Sequence, residues 1–192
     1  MLDWFKNIDT TLLLFINNVM QCTFLDVVCP FMRKQSNWYA LYIAAIFFSY
    51  RQWKIKSIWV LVSAIFLVFV SDQLSANLIK NMVQRLRPCN EPALAGMIHN
   101  IVGCGKGYSF VSAHATNHFA IAVFFSELFQ QHNKWVYPSL ITWAAFICFS
   151  QVYVGVHYPF DVIVGGLLGA ALGKVFGKFV HSKIIIPTRI WH

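Results

Sequence analysis

Six mainly apolar stretches of this chain carry no charged residue, and their lengths restrict what it can fold into. They are residues 10–25, 35–50, 57–71, 107–126, 135–160 and 162–173. A helix that crosses a bilayer needs about 20 mainly apolar residues, so stretches of this kind are typical of membrane spans. We predict five firm spans, at residues 36–51, 57–80, 112–131, 135–154 and 159–180.

The composition excludes a soluble globule and a nucleic-acid-binding protein. Of the 192 residues, 58% are hydrophobic and only 11% are charged, whereas about 25% are charged in an average soluble domain. The net charge of +8 comes from cations scattered along the chain, and nucleic-acid binders cluster theirs in a stripe. The sequence therefore predicts an all-α fold, a polytopic transmembrane helical bundle.

The N-terminal stretch, residues 1–35, leaves two interpretations open. Asn17 and Asn18 interrupt its apolar run, and Asp9 and Asp26 bracket a segment of only 16 uncharged residues. The stretch is either a sixth span or an interfacial helix pair. We predict three parts: an N-terminal segment 1–35, a transmembrane domain 36–182 with an outer loop 87–110, and a cytoplasmic tail 183–192.

The cations between the predicted spans indicate which face is cytoplasmic. Those on one face are Arg51, Lys54, Lys56, Lys134, Lys174, Lys178, Lys183 and Arg189. Those on the opposite face, here called the outer face, are Arg33, Lys34, Lys80, Arg85, Arg87 and Lys106. The positive-inside rule makes the first face cytoplasmic. The cations kept on the outer face need a functional explanation, and half of them belong to one short segment.

That segment is the first of three polar segments on the outer face, and it ends the second span at Pro88. Proline stops a helix, and seven residues make about two turns, so Lys80 and Arg87 point to nearly the same side. Both cations then face a common spot, as in an anion site. The alternative is that both side chains snorkel to the lipid headgroups.

The second polar segment opens the third span with Ser112, a residue type suited to the N-cap position. A helix N-terminus with free N–H groups is an anion site. His114 and His118 follow at a four-residue spacing and share one helix face. A zinc pair is the alternative, but the segment lacks the intervening Glu of a metalloprotease helix and an adjacent third ligand. We therefore predict packing or hydrogen bonding for this pair, and no metal.

The third polar segment joins the fourth and fifth spans and contains His157 and Asp161. Their four-residue spacing lets the carboxylate accept an imidazole N–H and fix its tautomer, as in a nucleophilic triad. The alternative is a satisfied structural contact, although ionisable groups at membrane depth are functional by default. Together the three segments predict a phosphate pocket with two cations, a helix N-terminus, a nucleophile and a proton donor.

The order and spacing of these residues resemble the type 2 phosphatidic acid phosphatase superfamily, to which undecaprenyl-diphosphatases and other membrane lipid phosphatases belong. Its motifs are Lys, six residues, Arg-Pro; then Pro-Ser-Gly-His; then Ser-Arg, five residues, His, three residues, Asp. The positions that match are Lys80, Arg87 and Pro88; Ser112 and His114; and Ser150, His157 and Asp161. The resemblance covers about residues 57–180.

Three positions depart from the family motifs. Val111 replaces the motif Pro and Ala113 replaces the motif Gly, with small expected effects because Ala113 keeps its backbone N–H. Gln151 replaces the motif Arg, so the site keeps a donor there but loses a charge worth roughly ten- to a hundredfold in turnover. We expect Arg85 or Lys106 to compensate. Ser150 is a further auxiliary candidate.

The resemblance implies a phosphoric-ester or anhydride hydrolase that needs no metal and no other cofactor. His157 would attack phosphorus and form a phosphohistidine, and Asp161 would orient its ring. His114 would protonate the leaving oxygen and then activate water. The phosphate oxygens would be held by Lys80, Arg87, Ser112, the backbone N–H near Ala113, and Gln151. Such phosphoryl transfer depends mostly on positioning and electrostatic stabilisation.

Two cysteines, Cys89 and Cys104, lie in the outer loop between the first and second motifs. A disulfide between them would close a loop of about 15 residues and contribute roughly 3 kcal/mol. We predict this bridge, with two free thiols as the alternative. Because disulfides persist outside the cytosol, we expect an integral protein of the bacterial inner membrane with its active site on the periplasmic face.

The predicted partner is a lipid phosphate held in the bilayer. The resemblance implies undecaprenyl diphosphate, phosphatidic acid, phosphatidylglycerol phosphate or a lipid A phosphate, and the residues do not separate these. The last span carries a stripe of small residues at Gly165, Gly169, Gly173 and Gly177. Such a stripe permits close helix approach. We favour packing within the chain over a homodimer through these glycines.

Three other functions stay open at this point. A phosphate-lipid binder would differ in class, with Gln151 marking lost catalysis. A vanadate haloperoxidase shares the superfamily's pocket, but those relatives are soluble and the five predicted spans speak against it. A metal-dependent hydrolase would use His114, His118 and His157, and a chelator would inhibit it.

Overall fold

The apolar segments of the chain form helices in the computed structural model, which describes residues 2–131 and 133–185. Within these ranges there is no β-strand, so the predicted all-α class is confirmed. The helices are α1 (Leu2–Leu14), α2 (Thr23–Arg33), α3 (Tyr39–Trp53), α4 (Ser57–Asp72), α5 (Lys80–Val83), α6 (Ala113–Phe129), α7 (Val136–Tyr153) and α8 (Pro159–Val180). Wider π-helical turns extend α1 to Val19, join α4 to α5 over Gln73–Ile79, and extend α8 to Ile185.

Helix α6 lies at the centre of the bundle, in contact with α4, α7 and α8. Its packing against α8 depends on the glycine stripe, whose members are all buried. A Cβ built on Gly165 would lie 2.8 Å from the Ser112 carbonyl oxygen, and one on Gly169 would overlap the Thr116 carbonyl oxygen. Only glycine allows the two backbones to approach so closely, so in this chain the stripe packs α8 against α6.

We expect Gly169→Ala to destabilise the bundle. The added methyl group would meet the backbone of α6, which cannot move as a flexible side chain can, and overpacking of this kind costs about 1–3 kcal/mol. The matched control is Ala171→Val, which adds apolar volume on the exposed face of α8. Thermal unfolding in detergent should show a lower midpoint for Gly169→Ala alone. Equal midpoints for the two variants would contradict this packing.

The surface of the bundle is that of an integral membrane protein. Large apolar side chains are exposed on α3, α4 and α8, among them Phe47, Phe48, Phe66, Leu167 and Phe179, and lipid is the solvent that such a surface requires. The predicted count of five spans is not confirmed. Three segments of the described residues are long and apolar enough to cross a membrane, namely Gln35–Leu94, which holds both α3 and α4, Val136–Tyr153 and Pro159–Lys183.

The N-terminal segment is a sharply bent pair of helices. Trp4–Val19 and Thr23–Arg33 meet at 118°, as in a broken span or a re-entrant loop, and counting them as one span gives four. Asn17, at the end of the first arm, is fully buried, and its amide donates to the carbonyl oxygens of Tyr153 at 2.6 Å and His99 at 2.8 Å. The residue that interrupts the apolar run therefore ties this segment to α7 and the outer loop. Residues 186–192 of the predicted tail lie outside the described residues.

Candidate active site

The ends of five helices meet at one end of the bundle and bring the three motif segments together. Helices α2, α5 and α7 end there, and α6 and α8 begin there. The backbone N–H of Ser112, before α6, donates to the carbonyl oxygen of Asp161 in the first turn of α8, at 3.0 Å. The second and third motifs, far apart in the sequence, are thus joined directly through their backbones.

His157 lies in the tight turn between α7 and α8. Gly155 makes this turn possible, because its φ of +73° is left-handed and a Cβ there would overlap Ile98. The His157 side chain is only 2% exposed and that of Asp161 is fully buried. Nδ1 of His157 lies 3.5 Å from Oδ2 of Asp161, and apo distances of this kind shorten in the substrate complex. The pairing leaves Nε2 as the ring nitrogen available for attack.

Asp161 is held in place by two further donors. Its Oδ2 accepts the backbone N–H of Tyr158 at 2.8 Å, which closes the first turn of α8. Its Oδ1 accepts a bond from the guanidinium of Arg85 at 2.9 Å. The carboxylate that faces His157 is therefore fixed by both the helix N-terminus and a half-buried cation.

The start of α6 supplies a second histidine and free N–H groups. Ser112 is the N-cap, and its Oγ accepts the N–H of Ala115 at 3.4 Å. The N–H groups of Ala113 and His114 precede the first intrahelical bond and are available to an anion. His118 donates through Nδ1 to the His114 carbonyl oxygen at 2.7 Å, as the packing interpretation predicts. Among the described residues, no three His, Cys, Asp or Glu side chains come together as a metal site.

Lys80 and Arg87 stand at the same end of the bundle, and both are half-buried. Each interacts electrostatically with Asp161 and His157, and the two cations repel one another. The Nε of Arg87 is buried without a hydrogen-bond partner. Two partly desolvated cations that act on one histidine form an anion site. The predicted helix up to Pro88 is wrong, because α5 ends at Val83, Gln84 is left-handed and Arg87 lies in extended backbone.

Arg85 is used differently from the predicted phosphate contact. Its guanidinium forms ion pairs with Asp9 at 2.7 Å and Asp161 at 2.9 Å, and it stacks 3.6 Å above the ring of Tyr158. Asp9, in α1, is 1% exposed and also accepts the N–H of Phe160 in α8 at 2.9 Å. Sequence reasoning missed Asp9 as part of the site. A buried carboxylate in an apolar helix is the signal that points to it.

The other two auxiliary candidates form no hydrogen bond or ion pair with His157 or Asp161 among the described residues. Lys106 is exposed in the outer loop. Ser150 is fully buried, but its hydroxyl donates to the carbonyl oxygen of Phe146 at 2.8 Å, within α7. A role for either in holding phosphate therefore stays a prediction.

Residues 58–185, more than half of the chain, match the PAP2 superfamily. The chain belongs to the PAP2 superfamily. The predicted resemblance is confirmed, and so is the predicted enzyme class, a phosphatase.

The PAP2 relatives include two with substantial coverage. The lipid A 4'-phosphatase of Bacteroides thetaiotaomicron is 30% identical over 186 residues, which is 95% of this chain and 81% of the relative. The lipid A 4'-phosphatase of Porphyromonas gingivalis is 29% identical over 192 residues, covering 99% of this chain and 78% of the relative.

Two solved PAP2 structures share the fold. The crystal structure of Aquifex aeolicus LpxE has a TM-score of 0.70 and 26% identity, and the match covers 88% of this chain and 94% of that one. The transmembrane PAP2 type phosphatidylglycerolphosphate phosphatase from Bacillus subtilis has a TM-score of 0.75 and 19% identity, with 97% and 89% covered. The second likeness is one of fold alone.

Gln151 is the departure from the PAP2 motifs that changes the charge of the pocket. It is fully buried in the last turn of α7, and its carbonyl oxygen accepts the N–H of His157 at 3.3 Å. Its side-chain Oε1 accepts a long bond of 3.4 Å from Nε of Arg33, at the end of α2. Sequence reasoning placed Arg33 on the outer face but did not assign it to the site. No local signal identifies it, because 118 positions separate the two residues.

The predicted disulfide between Cys89 and Cys104 is present, with Cα atoms 5.8 Å apart. It closes the part of the outer loop that follows Arg87. A Cβ on Gly105 would lie 3.7 Å from a terminal guanidinium nitrogen of Arg87. The bridge therefore holds this loop against a cation of the PAP2 pocket.

Proposed function

We propose that this PAP2 protein removes phosphate from a membrane lipid through a phosphohistidine on His157, without a metal ion. The observation that carries the proposal is the environment of His157. Its Nδ1 faces a fixed carboxylate, and two cations and the N-terminus of α6 surround it. This arrangement supplies a nucleophile together with donors for the charge that develops on phosphorus.

The reaction takes two steps at the same phosphorus atom. In the first, Nε2 of His157 attacks phosphorus, the bond to the lipid oxygen breaks, and His114 gives that oxygen a proton. In the second, His114 takes a proton from water as the water oxygen attacks, and the P–N bond breaks. Inorganic phosphate leaves with neutral His157 restored. Lys80, Arg87, Ser112 and the N–H groups at Ala113 and His114 hold the phosphoryl oxygens throughout.

The proposal includes a pH dependence set by His157. Burial lowers the pKa of His157 below its ordinary value near 6.5, although Asp161 opposes the shift. The imidazole therefore stays neutral and nucleophilic as the pH falls through 6.5. It becomes protonated, and loses its nucleophilic lone pair, only below its own lowered pKa. We expect the acidic limb of the pH profile of kcat/KM to lie below pH 6.5. The profile is first corrected for the ionisation of the substrate phosphate, which is followed by its ³¹P chemical shift. A limb above pH 6.5 would contradict this.

The site faces away from the cytoplasm in this proposal. The turns at the opposite end of the bundle carry Lys54, Lys56 and Lys134, and Lys178 lies in the last turn of α8. The positive-inside rule places that end in the cytoplasm. The Cys89–Cys104 disulfide, on the side of the site, supports the same orientation. In a bacterial inner membrane, the site would open to the periplasm at the level of the lipid headgroups.

The substrate we propose is a phosphate monoester of a lipid A-type glycolipid. Two relatives that this chain matches over about four fifths of their length are named lipid A 4'-phosphatases. The LpxE structure adds a likeness over nearly the whole of both chains. The undecaprenyl-diphosphatase and phosphatidylglycerophosphatase relatives are matched over about half of their length or less, and they supply the competing substrates.

Phosphate release from purified protein in detergent and EDTA tests the proposal. The lipids are lipid A, undecaprenyl diphosphate, phosphatidic acid and phosphatidylglycerol phosphate, and the His157→Ala protein is the blank. We expect release from lipid A in EDTA and none in the blank. Release that EDTA abolishes would favour a metal-dependent hydrolase. Binding of lipid without release, by folded protein, would favour the binder.

A further inference from the structure

The active site contains a cation that this chain's own motif residues do not supply. Arg33 is the last residue of α2, and the chain continues from it in an extended conformation at Lys34. Its side chain is half-buried, and its Nε reaches Gln151 in the last turn of α7. Among the described residues, no carboxylate forms an ion pair with Arg33. A guanidinium held in a partly buried place without a counterion leaves room for an anionic ligand.

The charge of Arg33 acts on the same pocket as the two motif cations. It repels Arg87, and it also repels a protonated His114, so these groups share one electrostatic environment. Lys80 likewise repels Arg87. Arg33, Lys80 and Arg87 thus act on one pocket. Among the described residues, only Asp161 and Asp72 partly offset this positive charge. Asp161 already pairs with Arg85. A phosphate group would neutralise this cluster.

The side chain of Gln151 orients the guanidinium of Arg33. The amide is fully buried, its Oε1 accepts from Arg33, and its Nε2 has no partner. An unpaired buried N–H is costly unless a ligand accepts from it. The amide therefore orients the guanidinium with one end and offers a donor to the same ligand with the other. The motif Arg would do both from position 151 itself.

We propose that Arg33 is a phosphate-binding residue of this active site and that Gln151 positions it; this rests on the proposed function. A guanidinium suits the role better than an ammonium, because its planar fork binds two phosphate oxygens at once. The N-terminal segment, which lies outside the matched residues 58–185, then contributes to catalysis as well as to the fold.

The test compares four variants with the wild type: Arg33→Ala, Arg33→Lys, the double variant Arg33→Ala/Gln151→Arg, and Lys34→Ala. Lys34 is the matched control, an exposed cation next in the chain. One readout is kcat/KM for lipid phosphate, and a second is the affinity for inorganic orthovanadate, a phosphate mimic, measured as a thermal shift. The vanadate readout needs no turnover.

We expect Arg33→Ala to lower kcat/KM and vanadate affinity by about ten- to a hundredfold each. Arg33→Lys should recover only part of the loss, and Gln151→Arg in the double variant should restore most of it. Lys34→Ala should behave as the wild type. A structural role for Arg33 would instead lower the melting temperature without ligand, and Gln151→Arg would not rescue it.

Two results would overturn the proposal about Arg33. One is vanadate affinity in Arg33→Ala equal to that in Lys34→Ala. The other is a loss that Gln151→Arg leaves unrepaired while the unliganded protein melts earlier. If the wild type releases no phosphate from any lipid, the proposed function fails, and vanadate affinity still decides whether Arg33 binds the anion.

Discussion

Replacing His157 with alanine is expected to remove phosphate release almost completely, by about 10⁴-fold or more. The imidazole of His157 is the attacking group, and the other imidazole of the site, His114, serves as acid and base for the leaving oxygen and the water. Ser112 is engaged as the cap of α6, and Lys80 and Arg87 are cations without a nucleophilic lone pair. Release of inorganic phosphate and transfer of ³²P from lipid to protein would both be measured. Both should be lost in His157→Ala.

A matched histidine elsewhere in the chain provides the control. His99 is partly buried and, like His157, lies near a carboxylate, that of Asp26 at 3.2 Å. It lies in the outer loop and contacts the α1–α2 segment rather than the pocket. The His99→Ala protein should keep its activity and its ability to carry ³²P. If His157→Ala still released phosphate within tenfold of the wild type, His157 would not be the nucleophile.

The second histidine separates the two steps of the reaction. With His114→Ala, the first step loses its general acid and the second loses the base that activates water, each a contribution of about 10²–10⁴-fold. His157 can still attack slowly, because its own lone pair is unchanged. Overall release should fall, and the ³²P-labelled protein should accumulate instead of disappearing. A variant that shows neither release nor label would show that the first step already depends on His114, whereas label that turns over as in the wild type would contradict its role in the second step.

The parts of the site that could be predicted from the sequence are those with a local pattern. Lys80 and Arg87 are seven positions apart, and His157 and Asp161 are four positions apart, so each pair is close in the chain. The helical route to that proximity is wrong, because α5 ends at Val83 and His157 precedes α8. The N-cap at Ser112 was recognisable from its residue type and position. Each of these relations lies within eight positions of the chain, where backbone geometry determines proximity.

The contacts that could not be predicted join distant parts of the chain. Asp9 reaches Phe160 across 151 positions, Asn17 reaches Tyr153 across 136, and Arg33 reaches Gln151 across 118. Asp9, Asn17 and Arg33 all belong to the N-terminal segment. In the sequence, its polar residues look only like breaks in a short apolar run. A single sequence gives no measure of which polar group will meet which. The fold, rather than a motif, makes Asp9, Asn17 and Arg33 useful.

The same reason explains the different place of Arg85. Arg85 is two residues from Arg87 in the chain, and for that reason the sequence predicted a contact between Arg85 and phosphate. Its ion-pair partners are Asp161 and Asp9, and the second comes from a segment whose position the sequence did not fix. Whether Arg85 stabilises these carboxylates or holds phosphate is a question that stability and binding measurements can answer separately.

Arg85→Gln is expected to destabilise the protein by about 3–5 kcal/mol, because a buried ion-pair network loses its one cation. Asp9 and Asp161 have side chains that are 2% and 0% exposed, so neither carboxylate can recover its lost partner from water. The stacking of the guanidinium on Tyr158 is lost as well. Reversible unfolding in mixed micelles measures the loss. Activity should fall with it, since Asp161 no longer holds His157 in a fixed orientation.

A second substitution shows whether the carboxylates cause the loss. Asp9→Asn removes one of the two orphaned charges, so the Arg85→Gln/Asp9→Asn protein should be more stable than Arg85→Gln alone. Additive effects of two destabilising substitutions would make it less stable, so the sign of the change reports the coupling. Lys106→Gln, at an exposed cation of the outer loop, should leave stability within about 0.5 kcal/mol of the wild type. If Arg85 instead holds phosphate, Arg85→Gln would lose vanadate affinity and keep its stability. The double variant would then be no better than the single one, because no buried charge would have been left without a partner.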